Sequence, residues 1–230
     1  MKQHYAKLSS YIAALKDASS TSDVKLVTYS KQGHRQPVFQ RLYMCFEAVK
    51  KGWVEGCRRI ICVDACFLKT FLGGQLMVAI GRDGNEQMFP IAWAAVEGEN
   101  TLHGNDEHQA ILSGIASVFP SAKHRHCARH IFANWNKHHK GDEIKLAFWK
   151  IAQSYNLADM NDAYDELKKA DKAAALSFKR YNPKCFCRAY MSTSCKADVI
   201  TSNLAETFNG YIIHARNKHL VDMMEDIRAQ

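Results

Sequence analysis

The stretch RRIICVDACFLKTFLGGQLMVAIGRDGNEQMFPIAWAAVEGEN, from Arg58 to Asn100, decides the fold. Its three apolar runs are bounded by glycine or turn residues and predict strands: Ile60–Val63, Gln75–Ile80 and Met88–Val96. Gly73-Gly74 joins the first two runs. Asp83-Gly84-Asn85 predicts a hairpin between the last two, because glycine adopts the positive φ that such turns demand. The stretch therefore predicts a three-strand meander with one carboxylate, Asp64, at the end of its first strand.

The rest of the chain is predominantly helical in pattern. Before the meander we predict a helix over residues 4–17, a strand over Val24–Tyr29 and an amphipathic segment over Val38–Lys51. After it we predict helices at His108–Val118, Cys127–Lys137, Ile144–Arg180, Asn203–Arg216 and Leu220–Ile227, and a strand at Lys123–His126. These elements predict a lead-in over residues 1–52, a core over 53–140, an all-α insertion over 141–200 and closing helices over 201–230.

Composition limits the class of protein. A chain of 230 residues that is 47% apolar can bury a sizeable core. Its net charge of +8 favours an acidic partner, with nucleic acid as the leading candidate. Eight irregularly spaced cysteines and no signal peptide indicate a reducing, intracellular setting. No apolar run approaches the roughly 18 residues that span a bilayer, so we expect a soluble chain without a membrane partner. No Gly-Lys-Ser/Thr phosphate loop is present, which argues against ATP use.

A long ordered series of motifs resembles the transposase domain of Mutator-like elements (MULEs), a family of the DDE superfamily. Its first block contains Asp64, Phe67-Leu68-Lys69, Gly73-Gly74, the run from Gly81 to Gln87, and Phe89-Pro90-Ile91-Ala92. Two later blocks also match: SVFPSAKHRHCARHIFANW from Ser117 to Trp135 and TSNLAETFNGYIIHARNK from Thr201 to Lys218. The resemblance covers about residues 24 to 228. It implies an α/β fold, an RNase H-like mixed sheet with an all-α insertion.

The resemblance also implies a catalytic triad of Asp64, Asp106 and Glu206. In enzymes of this kind, carboxylates hold two Mg²⁺ or Mn²⁺ ions that activate the nucleophile and stabilise the leaving oxygen. Hard cations prefer oxygen ligands, which is why aspartate and glutamate serve. The implied activity is hydrolysis and strand transfer at transposon ends. Each residue also has an ordinary alternative role: a solvated carboxylate at a strand end, a helix N-cap and a surface helix carboxylate, respectively.

One feature departs from the family. Its members place a helix and a fourth strand before the second aspartate, whereas here five residues, Thr101 to Asn105, separate Asn100 from Asp106. Five residues cannot form both elements. We therefore predict a sheet without its fourth strand, and two functions stay open. The chain is either a MULE-type transposase core or a catalytically inactive, domesticated nuclear protein associated with DNA or transcription. Both place it in the nucleus, and a homo-oligomer is an open alternative to a monomer.

Two further patterns in the sequence concern metal binding and DNA binding. Cys127-x-x-His130 supplies half of a four-ligand zinc site, so we expect a structural or active-site-rim role rather than zinc; His126, Cys185 and Cys187 are the available additional ligands. Basic clusters at Arg58-Arg59, His124–His126 with Arg129, Lys137–Lys140, Lys168-Lys169 and Arg216–His219 predict weak contacts with DNA phosphates. Without a separate recognition module, such binding would have a Kd of about 10⁻⁴–10⁻⁶ M.

Overall fold

A five-stranded antiparallel sheet is built from the two segments that precede the signature stretch and the three strands within it. The computed structural model describes residues 7–30, 37–70, 73–97 and 121–229. The strands are β1 (Asp23–Tyr29), β2 (Val38–Cys45), β3 (Cys57–Phe67), β4 (Gln75–Asp83) and β5 (Met88–Val96), in the spatial order β1-β2-β5-β4-β3. The helices are α1 (Leu8–Ala18), α2 (Glu47–Gly56), α3 (Ala128–Trp135), α4 (Asp142–Gln153), α5 (Leu157–Ala170), α6 (Lys172–Arg180), α7 (Asn203–Tyr211) and α8 (Leu220–Arg228).

The described residues divide into two units. The first contains the sheet, α1, α2, α7 and α8, and the second contains residues 121–202. The predicted α/β class is confirmed. The expected mixed sheet is not what the described residues form, because every pairing among them is antiparallel. Asp106 and the helix predicted over His108–Val118 lie outside the described residues.

The predicted meander is confirmed, with longer strands and one different turn residue. Gly73 and Gly74 have φ angles of +64° and +98°, so the Gly-Gly connection does use the left-handed region that glycine tolerates. In the β4–β5 hairpin the positive φ belongs to Glu86, at +69°, and not to Gly84 as predicted. Asp83 explains the difference: its Oδ1 accepts from the backbone N–H groups of Asn85 and Gln87 and so fixes a longer turn.

The span predicted as a lead-in contributes the strands β1 and β2 to the sheet. β2 pairs with β5 through Leu42 opposite Ala95 and Met44 opposite Trp93. The predicted amphipathic segment Val38–Lys51 is therefore wrong as one element: it is a strand followed by the start of α2. Pro90 tolerates its place in an inner strand because β2 pairs only with the later part of β5, where every residue has a backbone N–H.

Each sheet face in the first unit has its own cover. On one face, α1, α7 and α8 bury apolar residues of the strands, among them Leu42, Leu76 and Ile80. On the other face, Trp53 of α2 packs with Ile91, Phe89 and Ile61. Side chains alternate along β3, so Cys62 and Cys66 face the first cluster, whereas Val63 and Phe67 are exposed.

The second unit is helical, as the expected insertion was. Its core contains aromatic side chains from three helices and the loop that follows: Trp135, Phe148, Phe178 and Phe186. The strand predicted at Lys123–His126 is wrong, because this segment is a loop fixed by other contacts. The His126 N–H donates to the Cys185 carbonyl, and Arg125 donates to the carbonyls of Lys184 and Cys187. No helix among the described residues is long and apolar enough to cross a membrane.

Candidate functional site

Asp64 lies inside β3 and not at the strand end as predicted, because the strand continues pairing with β4 as far as Phe67. It shares a strand face with Cys62 and Cys66. It pairs in register with Val78 of β4 and is half-buried. In the described residues β3 is an edge strand with β4 as its neighbour. The alternation of β3 directs Asp64 to the face that the helices cover. A carboxylate here is held by the sheet on one side and depends on a helix for its other contacts.

The helix in question is α7, which packs on β3 and β4. The Asn209 Nδ2 of this helix donates to the Asp64 Oδ2 over 3.0 Å, joining residues 145 positions apart in the chain. Asn209 is only 7% exposed. Because a carboxylate can only accept, the amide nitrogen must face Asp64 and the amide oxygen must point elsewhere. The Asn209 Oδ1 is buried and has no hydrogen-bond partner among the described residues.

Glu206 lies one helical turn before Asn209. Residues three apart on a helix are neighbours on one face, with Cβ atoms about 5–6 Å apart. Glu206 is half-buried and occupies the first turn of α7, where the helix dipole favours a negative charge. The structure thus places the first and third predicted carboxylates in one unit and links their elements through Asn209.

The donor set fits a hard divalent cation. Asp64 and Glu206 offer carboxylate oxygens, and neither is fully buried, so both can exchange water for a ligand. The unpartnered Oδ1 of Asn209 is a third oxygen on the same helix face as Glu206.

A thiol is also close to the carboxylate, and its chemistry is different. Burial raises the pKa of the Cys66 thiol, and the nearby Arg216 guanidinium opposes the rise only in part. The thiol donates to the Leu76 carbonyl over 3.6 Å. A protonated, hydrogen-bonded thiol is neither a nucleophile nor a ligand for a hard cation. Cys66 therefore packs beside the site without supplying its chemistry.

Cys127 and His130 belong to the second unit. Cys127 precedes α3, is half-buried, and its Sγ accepts from the Ser202 N–H over 3.3 Å. The Ala128 N–H donates to the Ile200 carbonyl at 2.8 Å, so this contact closes the helical unit at its chain ends. His130 is exposed. The hydrogen bond ties Cys127 to Ser202, and both the expected structural or rim role and the zinc alternative stay predictions.

Some predicted DNA-contacting cations have internal partners. Arg58 forms an ion pair with Glu86, which also pairs with Arg82 at 2.5 Å. Burial lowers the pKa of Arg125, whose guanidinium donates to two carbonyls. These two arginines hold turns and loops together. The charges of Arg58 and Arg125 are therefore engaged within the protein, and DNA contact by the basic clusters stays a prediction.

No family model matches the chain, and no curated protein matches it significantly. The residues of the site are therefore the basis for inferring the function. Asn209 was named in the sequence only as part of the motif around Glu206, and its contact with Asp64 was not predicted. The spacing Glu206-x-x-Asn209 on a predicted helix was the available signal, because that spacing puts both side chains on one helix face.

Proposed function

We propose that the chain is the catalytic core of a DDE-type transposase of the Mutator-like class, built on an RNase H-like fold. The hydrogen bond from Asn209 Nδ2 to Asp64 Oδ2, at 3.0 Å, carries the proposal. It joins the first and last motifs on which the resemblance depends, which are far apart in sequence. A solvated carboxylate at random on the surface would have no reason to accept a hydrogen bond from a buried amide of the last motif.

The fold supports the same proposal. Three antiparallel strands, with the acidic residue on the first, follow one another as β3, β4 and β5. The outer edge of β3 carries no partner strand within the described ranges, and this is the edge where an RNase H-like sheet would continue. The proposed fold therefore lacks the fourth strand, in keeping with the short segment before Asp106.

The chain's own residues have separable roles in this proposal. Asp64 and Glu206 would hold the divalent cations, with Asp106 as the third carboxylate. When bound, the cations lower the pKa of a water and stabilise the leaving oxygen of a phosphodiester. Asn209 fixes the orientation of the Asp64 carboxylate through its amide nitrogen. The substrate is DNA at transposon ends, and the location is the nucleus.

A second candidate is an inactive, domesticated relative that binds DNA. The observation in its favour is the five-residue link before Asp106, which is too short for the helix and strand that carry the second aspartate in the family. Catalytic groups must be placed closely, since an error of about 1 Å can cost on the order of 10²-fold in rate.

Nicking of supercoiled plasmid by the 230-residue chain in Mg²⁺ or Mn²⁺ tests the proposal. We expect metal-dependent nicking that Asp64→Asn and Glu206→Gln reduce to background. Asp222→Asn removes an exposed carboxylate of α8 and serves as the matched control. Calorimetric titration with Mn²⁺ gives a readout independent of turnover. Metal binding without nicking, or neither, rejects the enzyme. DNA binding without metal binding supports the domesticated relative.

A further inference from the structure

We propose that Arg216 and Lys69 form a phosphate-binding subsite beside Asp64, which takes a backbone phosphate of the DNA strand to be cleaved. The inference rests on the proposed function and names the substrate contact of the same site. Both residues are in the first unit, one just after β3 and the other in the short helical turn after α7.

The backbone brings the two cations together. The Lys69 N–H donates to the Arg216 carbonyl over 3.1 Å, and the Arg216 Nη1 donates to the Phe67 carbonyl over 3.4 Å. Phe67 is three residues beyond Asp64 on the same strand, about 10 Å at the rise of an extended chain. A phosphate between the guanidinium and the carboxylate would therefore lie within one nucleotide of the metal ligands.

The charge of this pair is available to a ligand. Among the described residues, no carboxylate forms an ion pair with Arg216 or Lys69, whereas Lys218, two residues further on, pairs with Asp226 at 2.6 Å. Arg216 is half-buried: its Nε is buried, its guanidinium also interacts with the Cys66 thiol, and its Nη1 makes one long carbonyl contact, so only some of its N–H donors are used. Lys69 is exposed. A guanidinium with unused donors binds phosphate through two parallel hydrogen bonds, and an ammonium beside it adds a point charge.

A purely structural role predicts less. If Arg216 only capped the end of β3, the Phe67 carbonyl would be its main partner, and a short bond would be expected. Lys69 would then have no part in DNA binding, because its link to Arg216 uses backbone atoms alone. The Lys69 side chain therefore separates the two explanations without disturbing the fold.

The test measures binding of a fluorescein-labelled 20-base-pair DNA duplex of arbitrary sequence by anisotropy, at several salt concentrations without metal. Each phosphate contact contributes about 0.9 to the slope of log K against log salt. Because the two cations share one phosphate, Lys69→Ala and Arg216→Ala should each lower the slope by part of that amount, and the double variant should lower it by about 0.9; each single variant should weaken binding severalfold at about 0.1 M salt. Lys25→Ala is the matched control, because Lys25 is an exposed lysine on β1, at the other edge of the sheet.

Arg216→Lys keeps the charge and should keep most of the slope, while nicking falls because the bidentate contact is lost. Thermal melting of each variant shows whether it folds. If Arg216→Ala does not fold, the salt slope of Lys69→Ala decides between the subsite and the structural role. An unchanged slope in Lys69→Ala, or an equal loss in Lys25→Ala, overturns the subsite. If Asp64→Asn abolishes nicking in that case, the proposed function is supported and the phosphate subsite is rejected. If the slopes fall but no nicking occurs with any metal, the phosphate contact is supported and the enzyme is rejected.

Discussion

Replacing Asn209 with leucine separates catalysis from stability at this site. The change removes a hydrogen bond to a carboxylate, worth about 1.5–3 kcal/mol, and with it the buried, unpartnered Oδ1, which costs about 1–3 kcal/mol. The two effects have opposite signs and similar size. Leucine has the branching of asparagine but a larger volume, so it crowds this buried position and overpacking adds a cost of about 1–3 kcal/mol. We therefore expect the free energy of unfolding to fall by about 1–3 kcal/mol.

The same substitution should weaken metal binding. Asp64 would lose the donor that orients it, and loss of such an outer partner typically costs about 10- to 100-fold in metal affinity or activity. Urea unfolding followed by circular dichroism gives the stability, and Mn²⁺ titration gives the affinity. Asn203→Leu, at an exposed position on the first turn of α7, is the control. Unchanged Mn²⁺ affinity in Asn209→Leu, beside loss of binding in Asp64→Asn, would refute the positioning role. A fall of more than about 3 kcal/mol in the free energy of unfolding would contradict the expected effect on stability.

Three other expectations concern the fold. Gly81→Ala places a Cβ 2.6 Å from the Trp53 ring and should destabilise the chain by about 1–3 kcal/mol in urea, whereas Gly56→Ala meets nothing and should not. Trp135→Ala removes a fully buried side chain and should cost the second unit about 3–5 kcal/mol by circular dichroism, against little for the exposed Leu146→Ala. The hydrogen bond from Arg228 lowers the pKa of Glu225. The ionised carboxylate therefore stabilises the fold above a pH of about 4.5, and this contribution is lost as the pH falls further. Glu225→Gln should make the free energy of unfolding depend less on pH in that range, as measured by urea unfolding at several pH values.

The sequence predicted local elements well and their long-range pairing poorly. β5 was predicted with its observed bounds, because an apolar run between turn residues has one simple interpretation. The change from β2 to α2 was missed because no glycine or proline separates them; Phe46 alone marks the boundary. The strand predicted at Lys123–His126 failed because this short segment bonds to loop carbonyls instead of a neighbouring strand. Glu206 was named from its motif, but Asn209's partner lies 145 residues away, which no local pattern encodes.

The position of β3 explains why Asn209 matters so much to the proposed chemistry. A strand inside a sheet has neighbours on both sides, whereas β3 has β4 as its partner in the described part of the chain. The backbone of Asp64 is therefore fixed from one side, and its side chain points to α7. Asn209 and the pair formed by Lys69 and Arg216 tie α7 and the turn after it to the far half of β3. In the proposed transposase core, these helix-to-strand contacts are what would hold the elements of Asp64 and Glu206 together. Loss of Asn209 should accordingly weaken metal binding while the chain still folds.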